Sequence, residues 1–267
     1  AIIAALRHAC FHPTALSLVT RLRIQENRGR IPSSFVEGAK FGYAIGPVLA
    51  GILVYWLGLP GLLFLIFPAI FMIVALKYIL PGGIAGACVS HARPETHTAE
   101  GKSKKPFIIL MTASVLRAWA VFAAITFLPT YLVSQGYDLV TASMIMTLML
   151  LAGVAGQVAG GRISDQFGRK EFMVFTLAGA IPFFCLFIVT SGILAIASLL
   201  FFGFCLWATF SVAVAMGHEL LPQNVGLASG IMLGFAIGFG GLGVAVNGMI
   251  ADHSSLAAAI GTIPLPL

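Results

Sequence analysis

Residues 160–170 read Gly-Gly-Arg-Ile-Ser-Asp-Gln-Phe-Gly-Arg-Lys, and a long apolar run lies on each side of this stretch. Only 9% of the chain is charged, yet Arg162, Asp165, Arg169 and Lys170 fall together here. Glycine permits a tight reversal of the backbone, and a carboxylate is favourable near a helix N-terminus. Basic residues collect at the cytoplasmic face of a membrane. The stretch predicts a charged cytoplasmic loop between two membrane-spanning helices, and an ordinary positive turn between spans is the alternative.

The composition of the whole chain favours a membrane protein. Of its 267 residues, 59% are hydrophobic, and the mean hydropathy is +1.02. About 20 apolar residues cross a bilayer as a helix, whereas a barrel strand needs only about ten residues of alternating polarity. The recurring long runs therefore predict an all-α, polytopic membrane protein with about eight full spans. We place the spans at about 1–20, 35–57, 61–80, 107–133, 140–161, 172–190, 192–217 and 226–251, with a stub after Leu256.

The basic residues predict the orientation of these spans. Twelve of the 15 Lys and Arg residues lie at the edge of alternate breaks between spans or within them: Arg21, Arg23, Arg28, Arg30, Lys77, Arg93, Lys102, Lys104, Lys105, Arg162, Arg169 and Lys170. The intervening breaks near 58–60, 134–139, 190–192 and 252–255 contain none. By the positive-inside rule the basic loops are cytoplasmic, as in a multi-pass protein of a plasma membrane such as the bacterial inner membrane. This distribution accounts for the net charge of +6 without a nucleic-acid partner.

The longest polar stretch, residues 81–106, is predicted to be a linker between two bundles of helices. His91, His97 and neighbouring acids make metal binding an alternative by composition, but a solvated linker fits the stretch better. The four cysteines, Cys10, Cys88, Cys185 and Cys205, lack the spacing of metal ligands. We therefore expect no metal and no cofactor. The chain also lacks clustered carboxylates, a nucleophile elbow and a phosphate-binding glycine loop, which argues against an enzyme.

Several motifs carry a resemblance to one family. Gly161-x-x-x-Asp165-x-x-Gly168-Arg169-Lys170 resembles the cytoplasmic-loop signature of major facilitator superfamily transporters. Gly42-x-x-x-Gly46-Pro47-x-x-x-Gly51 resembles the helix-five motif of its drug:proton antiporters. Together with Phe11-His12-Pro13, Phe127-Leu128-Pro129-x-Tyr131 and His218-Glu219-Leu220-Leu221-Pro222, these motifs are similar to the fosmidomycin-resistance branch of the superfamily.

The resemblance implies the major facilitator fold, with family helices four to eleven present and the first three and most of the last expected outside this chain. Residues 1–80 would form the second half of the N-terminal lobe, 81–106 the cytoplasmic central linker, and 107–267 a truncated C-terminal lobe. The implied function is proton-coupled efflux of a drug or small metabolite by alternating access, by a protein that is monomeric at full length. A facilitator that takes up a small organic anion and a transport-inactive sensor of the same fold are the alternatives.

The chain departs from the branch at a few positions. Gln166 stands where an arginine is usual, Lys40 where a small or amide residue is usual, and Arg7 and His8 where small residues are usual. Because of these differences, the resemblance predicts the fold but does not predict the identity of the substrate.

Ionisable residues within the spans are candidates for the transport site. Arg117 lies twelve residues beyond Lys105, about 18 Å along a helix, and a buried arginine is costly unless it faces a cavity or an acid. It is predicted to bind an anionic substrate, resembling a phosphonate drug, or to form a structural polar pair. Proximity to the interface is a third interpretation. Trp119 either stacks on the ligand or packs against a neighbouring helix.

The opposite lobe supplies further candidates. Arg7 and His12 are predicted to contact substrate, and His12 can carry a coupled proton because histidine titrates near neutral pH. The alternatives are an interfacial Arg7 and a structural His12 beside the Pro13 kink. Glu37 is a second candidate for proton coupling, or it forms a salt bridge with Lys40 three residues later.

Glycines at steps of four predict close contacts between helices. Gly230, Gly234 and Gly238 share one face of the last full span, as Gly42 and Gly46 do in the second. General packing of membrane helices is the alternative to a functional interface between lobes.

Overall fold

A computed structural model describes residues 30–79, 105–221, 228 and 230–267. Its helices are α1 Arg30–Leu57, α2 Ile66–Ile79, α3 Lys105–Ser134, α4 Leu139–Phe167, α5 Arg169–Val189, α6 Gly192–Leu220, α7 Ala236–His253 and α8 Leu256–Gly261. A 3-10 segment, Leu59–Leu65, precedes α2, and a π-helical segment, Ile231–Phe235, precedes α7. These ranges contain no strand, and the all-α prediction is confirmed.

Five of these helices are long and apolar enough to cross a membrane. They are Lys40–Leu57 within α1, then Lys105–Ser134, Leu139–Phe167, Arg169–Val189 and Gly192–Leu220. The apolar stretch Leu59–Ala75 is shorter. The spans predicted at 107–133, 140–161, 172–190 and 192–217 coincide with α3 to α6. The span predicted at 1–20 and most of the predicted linker lie outside the described residues.

Large apolar side chains cover the outer surface of these helices. Trp56, Phe71, Phe175 and Ile193 are each more than two-thirds exposed. In water such a surface would be an aggregation liability, whereas in a bilayer it contacts lipid tails. The buried core is small by comparison and lies where α3, α4, α5 and α6 meet.

Helices α4 and α6 run parallel and approach closely because small residues line their contact. A Cβ on Gly156 would lie 2.9 Å from the Phe204 carbonyl carbon, and a Cβ on Gly160 would lie 3.1 Å from that of Ala208. Gly203 of α6 packs in the same way against Met149 of α4. Small residues that let backbones approach are the usual means of joining helices in a membrane.

Helix α1 runs antiparallel to α4 and is held there by two contacts. The backbone N–H of Val48 donates to Oγ1 of Thr147 over 3.1 Å. One turn further on, a Cβ on Gly51 would lie 2.6 Å from Cβ of Ser143, so glycine is required at this crossing. The motif that includes Pro47 and Gly51 therefore lies at the contact between α1 and the helices of the predicted C-terminal lobe.

The glycine stripes at steps of four do not face close neighbours in the described ranges. A Cβ on Gly42, Gly46, Gly230, Gly234 or Gly238 would meet no atom of these ranges within 4 Å. The close approach of α7 to α3 is instead made by Gly240, against Ala118, and by Gly243, against the Trp119 ring. The predicted role of the stripes in joining helices stays a prediction for partners outside the described residues.

The charged stretch at 160–170 is more helical than the sequence suggests. Helix α4 continues to Phe167, and α5 begins at Arg169, so the chain reverses at Gly168 alone. Gly168 has φ +93°, a backbone conformation that side-chain-bearing residues rarely adopt. Gly161 lies inside α4 and contributes nothing to the bend.

The other end of α4 is fixed by Asp138. One carboxylate oxygen accepts from the backbone N–H groups of Val140 and Thr141, and the other accepts from the Thr141 hydroxyl. The hydroxyl bond, together with the backbone bonds, holds the pKa of Asp138 below its usual value. The stability that this cap contributes is present at neutral pH and is lost as the pH falls through the lowered pKa.

Candidate functional site

Arg117 is the one buried cation of the described ranges, and its side chain is only 5% exposed. It lies twelve residues into α3, about 18 Å from the start of that helix. Its Nε atom is buried and has no hydrogen-bond partner in these ranges. A buried donor without a partner is costly, and a buried charge more so, which marks this position as one that needs a ligand or a partner.

No carboxylate of the described side chains is placed to neutralise Arg117. Five such carboxylates are present, all at helix ends: Asp138, Asp165, Glu171, Glu219 and Asp252. The contact that the structure does give Arg117 is aromatic, since Cζ lies 5.2 Å from the centroid of the Phe210 ring on α6. A cation–π contact offsets part of the desolvation cost but fills none of the N–H donors.

A second cation reaches the same ring from α1. Nζ of Lys40 lies 5.2 Å from the Phe210 centroid. One turn along α1, the ring of Tyr43 lies 6.3 Å from that of Trp207, which in turn lies 6.4 Å from Phe210. Helices α1, α3 and α6 thus bring two cations and three aromatic rings to one region.

A shallow cleft of about 10 Å³, with room for roughly one water molecule, lies beside this cluster. It is lined by Lys40, Tyr43 and Ala44 of α1, Leu150 and Val154 of α4, and Trp207 of α6. The surface that lines it is almost entirely apolar. The two cations and the three rings, rather than the volume of the cleft, therefore define the candidate site.

Gln157 carries the other buried polar atom without a partner in the described ranges. Its Oε1 is unsatisfied, while its backbone carbonyl accepts from the Ser211 hydroxyl over 3.3 Å. Ser211 directly follows Phe210, so both unsatisfied groups lie beside the same turn of α6. In the described part of the chain, the Gln157 side chain forms no hydrogen bond with a neighbouring helix.

Trp119 is occupied by contacts between helices. Its indole Nε1 donates to Oδ1 of Asn247 over 2.5 Å, and its ring packs on Gly243 of α7. Nδ2 of Asn247 then donates to the Ala259 carbonyl and to Oγ1 of Thr262. Asn247 thus connects α7 to α3 and to α8, and Trp119 lies in this network.

The charged stretch forms a three-residue ion-pair cluster. The Arg169 guanidinium contacts the Asp165 carboxylate at 3.0 Å and the Glu219 carboxylate at 2.6 Å. Arg169 therefore links the end of α4 and the start of α5 to the last turn of α6. Asp165 pairs with Arg169, and the N-terminus of α5 has no side-chain cap, so Asp165 does not cap the helix that follows it. Lys170 is exposed at the same end.

Three sequence candidates cannot be placed. Arg7 and His12 lie outside the described residues, and so does the side chain of Glu37. Two residues that matter here were not singled out as site residues from sequence. Phe210 lies on a helix that is apolar on all sides, so the sequence does not distinguish it from the other aromatic residues of that helix. Lys40 carries a signal in the sequence, namely a charge in an apolar span, but there it is interpreted as a departure from the branch and as a partner of Glu37.

Comparison with known proteins gives a family match over nearly the whole chain. The model of the Major Facilitator Superfamily matches residues 1–252. Over 255 residues the chain is 29% identical to the fosmidomycin resistance protein of Escherichia coli (strain K12), covering 92% of this chain and 62% of that protein. Over 256 residues it is 27% identical to an uncharacterized MFS-type transporter, YfnC, of Bacillus subtilis (strain 168), covering 93% and 62%. The chain thus spans about three-fifths of the length of these relatives.

Proposed function

Because the chain belongs to the major facilitator superfamily, we propose that the whole protein is a secondary active transporter that exports a drug or small metabolite at the expense of a proton gradient. It acts in a plasma membrane, the inner membrane in a bacterium, as a monomer. A relative named for fosmidomycin resistance supports export of a small molecule. The basic loops face the cytoplasm in this proposal.

Arg117 is the observation that carries the proposal. A permanent cation in an apolar interior, with a buried donor left unpaired, is stabilised when an anionic group binds it. Its planar fork of N–H groups suits a carboxylate or a phosphonate, which it can bind through two parallel hydrogen bonds. We assign Arg117 the contact with the substrate, within the region framed by Phe210 and Trp207.

Alternating access requires the two lobes to move about this site. Helices α1 and α2 belong to the N-terminal lobe in our division of the chain, and α3 to α8 belong to the C-terminal lobe. Arg7 and His12 contribute to the substrate site from the N-terminal side, and His12 or Glu37 exchanges the coupled proton. Trp119 contributes to the site indirectly. Its hydrogen bond to Asn247 positions α3, the helix that carries Arg117.

The ion-pair cluster at Arg169 is proposed to stabilise one arrangement of the helices. Exposed ion pairs contribute about 0–1 kcal/mol each, which is enough to bias two states of similar free energy without fixing one of them. Asp165 and Glu219 then affect the rate of switching and leave the binding of substrate unchanged.

Uptake of a small organic anion by facilitated diffusion is the second candidate, and the same unpaired Arg117 favours it. The two functions differ in their use of the proton gradient. A transporter that exports by proton coupling moves substrate against its own gradient, whereas a facilitator moves it only downhill.

The test is transport by the full-length protein in proteoliposomes, with fosmidomycin and a labelled dicarboxylate as substrates, with and without an imposed pH gradient. We expect accumulation against the substrate gradient only when protons flow the other way, and we expect Arg117→Gln to abolish it. Arg162→Gln is the matched control, because Arg162 is exposed at the basic end of α4. Transport that is downhill under both conditions would show a facilitator, and no transport of either compound would favour a sensor.

A further inference from the structure

Two cations from different helices meet at one aromatic ring. Nζ of Lys40 on α1 and Cζ of Arg117 on α3 each lie 5.2 Å from the centroid of Phe210 on α6. The two charged groups are therefore no farther apart than about twice that distance. An apolar interior strengthens the repulsion between such charges, because the effective dielectric constant is low.

We propose that Lys40, Phe210 and Arg117 form a binding site for a small organic dianion, with one anionic group on Arg117 and the other on Lys40. This inference rests on the proposed transport function and adds the charge of the substrate and a specificity-determining residue. Both cations contact the Phe210 ring, and this shared contact limits the spacing between the anionic groups that the site accepts.

A dianion satisfies this site better than a monoanion does. Arg117 has a buried N–H without a partner, so it offers a directional contact to one group. Lys40 is half-buried at the cleft, and its ammonium has three donors, so it can bind a second group while it keeps its other interactions. A monoanion on Arg117 makes no contact with Lys40, whereas a dianion of the right length contacts both cations.

Because Lys40 and Arg117 lie on different helices, a ligand that binds both would connect α1 to α3. Lys40 lies on α1, which contacts α4 through Val48 and Gly51, and Arg117 lies on α3. A ligand that holds both cations would tie α1 to the helices of the C-terminal lobe. Affinity should therefore depend on the length of the ligand between its two charged ends.

The experiment uses α,ω-dicarboxylates from malonate to adipate, each beside its half-amide, which has the same length and one charge fewer. Binding to the full-length protein in lipid nanodiscs is measured by calorimetry. At the best chain length we expect the dicarboxylate to bind about tenfold more tightly than its half-amide, the effect of one charge-assisted contact. Lys40→Gln should bring this ratio close to one without weakening the half-amide, and Lys40→Arg should preserve it.

The outcomes separate the site from the transport function. Arg117→Gln should weaken both members of every pair, and Arg162→Gln should weaken neither. Equal affinity within every pair in the unmodified protein, no binding of any dicarboxylate, or an unchanged ratio in Lys40→Gln would each overturn the dianion site. Because the first comparison needs no variant, misfolding of Lys40→Gln does not remove the test. Proton-driven transport of a monoanion, with no preference for dianions, would leave the proposed function standing while it refutes the dianion site.

Discussion

At the scale of single residues, Gly168 shows how one position decides a connection. Since α4 ends at Phe167 and α5 begins at Arg169, the whole reversal depends on φ +93° at Gly168. We expect Gly168→Ala to destabilise the protein by about 1–3 kcal/mol, the cost of a side chain in a sparsely populated backbone region. Gly161→Ala, inside α4 with no atom of the described ranges within 4 Å, should be neutral or stabilising. Denaturant unfolding of both variants in detergent checks this, and equal losses would contradict it.

Trp119 gives a second test at this scale, because its indole bonds a fully buried amide. Trp119→Phe removes the donor and leaves Oδ1 of Asn247 unpaired, so we expect a loss of about 0.5–2 kcal/mol in the free energy of unfolding. Ligand affinity should not change if Trp119 acts through packing. Calorimetric titration of the folded variant measures this, and a large loss of affinity at unchanged stability would instead place Trp119 at the ligand.

At the scale of helices, the contact between α1 and α4 depends on Gly51. A methyl group there would meet Ser143, whereas one at Gly46, five residues earlier on α1, would meet no described atom within 4 Å. We expect Gly51→Ala to push α1 away from α4, at a cost of about 1–3 kcal/mol, and to slow transport because α1 carries Lys40. Gly46→Ala is the matched control. Thermal unfolding and transport, measured on both variants, decide; a larger effect at Gly46 would show that its face has the tighter contact.

The link between the α4–α5 turn and the end of α6 is testable in the same way. Glu219→Gln keeps the size of the side chain but removes its ion pair with Arg169. We expect a changed rate of transport at saturating substrate and unchanged ligand affinity, since the cluster lies at helix ends and far along the chain from Arg117. Glu171→Gln, in the first turn of α5, alters a neighbouring carboxylate that forms no ion pair in the described ranges. A loss of affinity in Glu219→Gln alone would count against the switching role.

At the scale of the molecule, the spans can be predicted from sequence. A long apolar run in a bilayer forms a helix, because a helix makes all its backbone hydrogen bonds within the segment. The contacts between those helices cannot be predicted from sequence in the same way. Helices α3 to α6 have almost no amphipathic face to orient them, so sequence could mark Arg117 by its charge but not Phe210 as its partner. The regular spacing of four marks Gly230, Gly234 and Gly238 in the sequence, while the glycines that contact Trp119 and Ala118, namely Gly243 and Gly240, lie on another face.

The orientation of the whole molecule is the remaining prediction from sequence. Antiparallel packing of α1 on α4, and parallel packing of α4 with α6, agree with spans that alternate in direction. The distribution of Lys and Arg then predicts which end is cytoplasmic. In a protein without Cys10, Cys88, Cys185 and Cys205, single cysteines at Arg28 and Lys102 should react with a membrane-impermeant maleimide only from the cytoplasm. Single cysteines at Gln135 and Ser254 should react only from outside intact cells, because they lie in breaks that hold no basic residue. Reversal at any one of these four positions would overturn the orientation, and with it the assignment of the Arg169 cluster to the cytoplasmic side.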